Sequence, residues 1–422
     1  MSVIVGFFFV IIAFLKKNAN KLMRLLLWLQ IISFAMSFAV GNNIDNLSIK
    51  TLLILIFVNT CLLLIIYPWG YGRIKNISVK DMSFFEFYRK NLYFVLKINL
   101  VVFILIAIAV WVFIPDIVAL KRDKAFNDLY LQIPYFSFLY RYASITKYIG
   151  LLALPFFAYY LKRDNIKEAR NALILSSSVF VIGVATYNRA VMITYLTLCV
   201  SVYYFIESEL TIVKRKMINK YIKRILLVVI AFFVIITIGR FTSSSMDYYS
   251  DQIPKNSLVK EPSTYSLFNY ASQGYINGVN FLEKYNGENK IYGKGITYDF
   301  MQALAFFNLV SWESEDYFKA TDKAYNIPGL SDNNKSDNFH GYTADMVVNF
   351  GYILAFLFSL LYFIYVRAVL LKSKIDFMSL TYLVLLMSIP LNAIFYMSYG
   401  MLVFPLLFIL ILKIIFAIVN NG

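Results

Sequence analysis

The chain has 422 residues, 60% of them hydrophobic and 18% aromatic, with only 15% charged, against about half apolar and a quarter charged in a soluble domain. Mean hydropathy is +0.66, so the bulk of the chain belongs in lipid and an ordinary water-soluble globule is excluded. The net charge of +16 falls in short runs between apolar stretches, which is the pattern of membrane-protein loops and argues against a nucleic-acid partner.

A spanning helix needs about 20 mostly apolar residues, with a lower limit of about 17. In chain order the candidate spans are 2–15, 22–40, 49–67, 91–115, 145–161, 171–187, 190–207, 225–240, 343–366, 376–396 and 399–419. They predict an all-α polytopic membrane protein with about eleven transmembrane helices. The first is short, and Lys16 and Lys17 follow it instead of preceding it. That order is backwards for a cleavable signal peptide and reads as a first helix with its amino end outside. Cys61 and Cys199 each lie within an apolar run and read as small core residues, with no disulfide framework implied. The Tyr187–Asn188–Arg189 connection is tight, as an antiparallel helical hairpin permits.

Short cytoplasmic loops carry the excess of lysine and arginine. Lys16, Lys17, Lys21 and Arg24 form one basic group, and Arg73, Lys75, Lys80, Arg89 and Lys90 form the next. Lys162, Arg163, Lys167 and Arg170 follow, then Lys214, Arg215, Lys216, Lys220, Lys223 and Arg224, and last Arg367, Lys372 and Lys374. If the helices alternate, all of these face one side, which is then the cytoplasm. The amino terminus is expected outside and the carboxyl terminus inside. Three units follow: a first bundle of about eight helices over 1–240, a large partly helical extracytoplasmic loop over 241–342, and about three carboxyl-terminal helices over 343–422.

Two outer segments stand apart. Residues 116–144 carry Lys121, Arg122, Lys124 and Arg141 beside aromatic runs, which suits a short amphipathic helix lying in the interface. Residues 241–342 are rich in Tyr, Asn, Ser and Asp and read as the part of the chain that folds in water; long ordered loops usually carry function. Within them Gly293–Lys294–Gly295 precedes a largely apolar stretch to Val310. This predicts a helix with its apolar face toward the membrane surface.

Several polar residues have both a plain and a functional account. Lys97 and Lys413 lie near cytoplasmic helix ends and read as snorkelling side chains. Glu313, Glu315 and Asp316 could hold a divalent ion, but without histidine or regular ligand spacing they read as a solvated loop. No metal and no cofactor are expected. Arg189 opens one span and Arg240 closes another, both at the outer face. Each is either an interfacial anchor or a guanidinium fork for phosphate oxygens. Arg141 is a third outer arginine. His340 is the only histidine; it is either an ordinary surface residue or a base whose pKa near neutral suits it to take a proton from a sugar hydroxyl.

In these residues the chain resembles the O-antigen polymerases (Wzy type) within the wider O-antigen polymerase and ligase family. The resemblance covers the whole chain as topology. In detail it rests on Thr186–Tyr187–Asn188–Arg189–Ala190, on Gly239–Arg240, and on His340–Gly341–Tyr342 followed by Val348–Asn349–Phe350–Gly351–Tyr352. Where the family often has Phe-Gly-x-x-Gly, this chain has Phe350–Gly351–Tyr352–Ile353–Leu354 and lacks the second glycine. The resemblance implies a metal-independent glycosyltransferase of the bacterial cytoplasmic (inner) membrane, working on its outer face. It would pass a glycan from undecaprenyl pyrophosphate to a new lipid-linked repeat, in O-antigen or capsule synthesis. Arg189, Arg240 and His340 would then be the catalytic residues, and Arg141, Tyr342 and Asn349 would bind substrate. The implied partners are the undecaprenyl-pyrophosphate-linked oligosaccharide, the bilayer and a chain-length regulator. An O-antigen ligase and a lipid-linked oligosaccharide flippase are the alternatives. Transporters tend to have internal repeats and short loops; this chain shows a large outer segment and no evident halves.

Overall fold

The computed structural model describes residues 20–42, 44, 48–71, 76–113, 136–186, 188–216, 218–220, 253–287, 290–306, 310–311, 319–320, 323–325, 339–397 and 399–421. Short polar side chains start many of its helices. Helix α1 (Lys21–Ala39) is capped by Asn20, α2 (Ile49–Ile66) by Ser48, α6 (Ile166–Ser176) by Asn165, and α8 (Arg189–Ile206) by Asn188. Each cap accepts a hydrogen bond from a backbone N–H of the first turn, which the helix itself cannot satisfy. Between these lie α3 (Met82–Phe113), α4 (Phe136–Thr146), α5 (Leu154–Lys162) and α7 (Ser178–Ala185). After them come α9 (Pro262–Lys284), α10 (Lys294–Phe306), α11 (Gly341–Leu370), α12 (Phe377–Asn392) and α13 (Gly400–Asn421).

Among the described residues, eight helices are long and apolar enough to cross a membrane. The exterior settles the solvent: Ile49, Ile353, Val112, Val419 and Ile418 are all more than half exposed. An apolar outer surface on this scale is compatible with lipid and not with water. The expected spans 2–15 and 225–240 lie outside the described residues. The expected span 376–396 is a 16-residue helix, α12. It is apolar all round and lies in the middle of the bundle, packed on α1, α2, α5, α8, α11 and α13. A helix without a polar face is one that is buried.

Ion pairs and aromatic contacts gather one set of helix ends. Lys21 at the start of α1 bonds the buried Glu207, just after α8, at 2.7 Å. Arg89 in α3 lies 3.9 Å from Glu168 in α6, and Lys214 pairs with Asp164. Phe377 packs on Phe85 and Phe156, and Phe84 packs on Phe416. Two three-residue strands, β1 (Asn76–Ser78) and β2 (Lys374–Asp376), pair in parallel with Ile77 opposite Ile375. The basic connections that are described therefore lie together at one end of the bundle.

The opposite end is built differently. The described part of the long segment after α8 packs against the helices. Leu258 N–H donates to Ala39 O at 2.8 Å, and Asn42 donates to Asn269 at 2.9 Å. Helix α9 then slants across α1, α2 and α11. Its Tyr275 sits edge-on to Phe34 and takes a 3.0 Å hydrogen bond from Asn59, while Thr51 donates to Glu283 at 3.0 Å. Helix α10 begins at Lys294, within the stretch where a helix was expected, and packs on α13 and α4.

Composition predicts one span over 343–366, and here the structure corrects it. Gly351 has φ 81° and ψ 169° inside α11, a conformation open essentially to glycine alone. The Tyr342 hydroxyl and Ser359 Oγ lie 3.1 Å apart although 17 residues separate them. Along a straight helix that separation would be about 25 Å. Helix α11 therefore doubles back at Gly351 into two arms, 341–350 and 352–370. The turn releases carbonyls that an unbroken helix would occupy, and Val348 O and Asn349 O accept from Ile291 N and Gly293 N, each at 3.0 Å. The continuous apolar run hid the turn because hydropathy registers composition and not backbone dihedrals.

Candidate functional site at the end away from the basic loops

The first arm of α11 carries its own start inward. Gly341 N donates to Phe395 O at 2.8 Å and Tyr342 N to Ala393 O at 3.0 Å, so the loop after α12 satisfies the first amides of the arm. Helix α9 approaches the same place through Gly274 and Gly278. A β-carbon at Gly278 would overlap the His340 carbonyl oxygen, and one at Gly274 would overlap that of Ile394. This is the small-x-x-x-small device by which helices in lipid bring backbones together.

His340 stands at the head of the arm and is only 3% exposed. Its imidazole closes a three-ring cluster with Phe281 of α9, at 5.2 Å and 62°, and Tyr325, at 4.7 Å and 34°, whose own rings lie 5.1 Å apart. The Tyr325 hydroxyl donates to Asp345 Oδ1 at 2.7 Å. The other carboxylate oxygen, Oδ2, accepts from Met397 N at 2.9 Å. One carboxylate thus ties together the first arm of α11, the stretch 323–325 and the loop between α12 and α13.

Beside His340 is a small hollow lined also by Gln30, Gly274, Tyr275, Thr343 and Ala393. It has room for about one water molecule. Among the described residues, Gln30 Nε2 and Thr343 Oγ1 are buried without a hydrogen-bond partner. Both residues line the hollow. Buried polar atoms of this kind are uncommon and call for a partner, so the hollow is suited to an oxygen-sized polar group.

The remaining candidate residues are scattered. Arg189 is the first residue of α8, behind the Asn188 cap. Arg240 lies outside the described residues, as do Glu313, Glu315 and Asp316. Arg141 is exposed on α4, and α4 touches α10. Tyr342 is buried and directs its hydroxyl to Ser359 within the bundle. Asn349 is buried and bonded on both sides of its amide: Oδ1 accepts from Gly295 N at 3.2 Å and Nδ2 donates to Asp345 O at 2.8 Å. Its side chain fastens the start of α10 to the first arm. Among the described residues no cluster of His, Cys, Asp and Glu has the makings of a metal site.

Asp345 and Tyr325 escape sequence reading. A lone acid in an apolar run and one tyrosine among 33 carry no spacing signal. The Gly274–x–x–x–Gly278 spacing was legible, but it lies in a stretch whose polar composition draws attention away from helix packing. No protein-family model matches the chain, and neither does any curated protein or solved structure.

Proposed function

We propose that the chain is a polysaccharide polymerase of the bacterial cytoplasmic membrane, transferring glycan from undecaprenyl pyrophosphate to a lipid-linked repeat at the outer face. The observation that carries this reading is where the resembling residues lie. His340–Gly341–Tyr342 and Asn349–Phe350–Gly351–Tyr352 are the head and the turn of the folded arm, and the non-basic end of the bundle is organised around them. The gathering of described basic connections at the other end supports placing that other end in the cytoplasm.

The chemistry asks for three things. Negative charge that develops on the departing pyrophosphate needs fixed cations, and Arg189, Arg240 and Arg141, the outer arginines expected from the sequence, are of the right type. The anomeric carbon becomes oxocarbenium-like as its bond to oxygen breaks. The attacking hydroxyl must lose a proton, and His340 is our candidate to receive or orient it. The hollow beside His340 has room for about one water molecule, which on this reading suits the acceptor hydroxyl and leaves the sugar ring outside. No step calls on a metal or cofactor.

The test is the profile of surface glycan in a host lacking this gene, with and without complementation. A single repeat on its carrier in the null strain, and a ladder restored by the wild-type gene but not by His340→Ala, is the expected result. Long polymer stranded on the lipid carrier would make the protein a ligase, and single repeats held on the cytoplasmic face would make it a flippase.

A further inference from the structure

We propose that Asp345 and Tyr325 are positioning residues that fix the plane of the His340 imidazole, a proposal whose effect on activity rests on the polymerase reading above. The two rings that hold His340 are anchored in different ways. Phe281 is fixed by its helix, since α9 lies backbone against backbone with His340 at Gly278. Tyr325 packs on Phe281 as well as on His340, with centroids 5.1 Å and 4.7 Å away, and its hydroxyl adds a directional bond that ring packing does not supply.

The hydroxyl bond sets the direction of the ring. Tyr325 O–H donates to Asp345 at 2.7 Å, an ordinary length for an O–H···O hydrogen bond. Asp345 in turn is kept from rotating by the Met397 amide on its other oxygen. It stands five residues after His340 on the same arm, so the anchor and the ring it positions move as one body. A partly buried carboxylate is costly unless it is hydrogen-bonded. An apolar side chain at 345 would leave the Tyr325 hydroxyl and the Met397 amide without this shared acceptor, so the carboxylate ties ring and loop together.

The only histidine of the protein makes the test direct. Full-length protein labelled with nitrogen-15 histidine, in lipid nanodiscs, gives ring-nitrogen signals from His340 alone. The expected result is that Tyr325→Phe, which removes one oxygen and keeps the ring, shifts or broadens those signals. Asp345→Asn should do the same, and the double variant should go no further than the larger single change, because both substitutions break one link. In the complemented null strain Tyr325→Phe should cut long polymer about 10- to 100-fold, the scale of a misplaced catalytic group. Unchanged His340 signals in folded Tyr325→Phe protein would overturn the proposal, and so would effects that simply add in the double variant. If Asp345→Asn fails to fold, the signals of Tyr325→Phe decide between these outcomes without it. Shifted signals beside a full ladder would support the positioning and remove His340 from glycosyl transfer, so the two readings fail separately.

Discussion

A single exposed carboxylate sets the start of α9. Glu261 accepts from Ser263 N at 3.0 Å and Thr264 N at 2.6 Å, and both hydroxyls bond it as well. The Ser263 hydroxyl, then that of Thr264, holds its carboxyl down to about 2 from an ordinary 4.5. A folded-state pKa below the unfolded one means that the cap stabilises fully above about pH 4.5 and is lost as pH falls toward 2. Glu261→Ala should therefore destabilise the protein in detergent at pH 7 by the ~1 kcal/mol typical of a lost helix cap, read as a lower thermal midpoint. The gap to wild type should narrow steadily between pH 4.5 and 2, and a constant gap across that range would refute the assignment. At this scale the sequence was half legible. His340 was singled out because it is unique, and Asn188 stood in a recognised turn. Asp345 and Tyr325 stayed hidden, since their meaning lies in an approach across the fold that no local spacing encodes.

At the scale of elements, helix existence followed from apolar length, and the start of α10 from its glycines. The turn in α11 did not, because a buried apolar arm and a lipid-facing arm on either side of a sharp bend read as one hydrophobic run. Gly351→Ala isolates that turn. A β-carbon at φ 81°, ψ 169° costs about 1–3 kcal/mol, and it would also crowd the Lys290 side chain. We expect a clear fall in the yield of monodisperse protein on size-exclusion chromatography, with loss of polymer. Gly278→Val should be the more damaging change, since it drives a branched side chain into the His340 backbone. If both variants purify and function like wild type, the folded arm is not the functional state.

For the whole molecule, the distribution of charge already divided the chain into two sides, and the ion pairs and paired strands at one end gather the described members of the basic set. Native thiols give little background for a direct check, because Cys61 is buried and Cys199 half-buried. Cysteines introduced at Lys374, in β2, and at the exposed Tyr292 should label from opposite sides of sealed vesicles with an impermeant maleimide. On the proposed orientation, Tyr292→Cys reacts in right-side-out vesicles and Lys374→Cys only after inversion. Labelling of both from one side would discard the arrangement.

The folded arm also carries a consequence in time. Its carbonyls are met by residues 291 and 293, which the ribosome makes before it, and its leading amides by residues 393 and 395, made after it. Synthesis can therefore deliver every lipid-facing helix through the second arm of α11 while the head of the first arm still lacks the carbonyls that close it. The surroundings of His340 are completed only when the loop beyond α12 arrives. A nascent chain halted before residue 393 would be inserted in the membrane yet unfinished around His340, so the site is among the last parts of the protein to be completed.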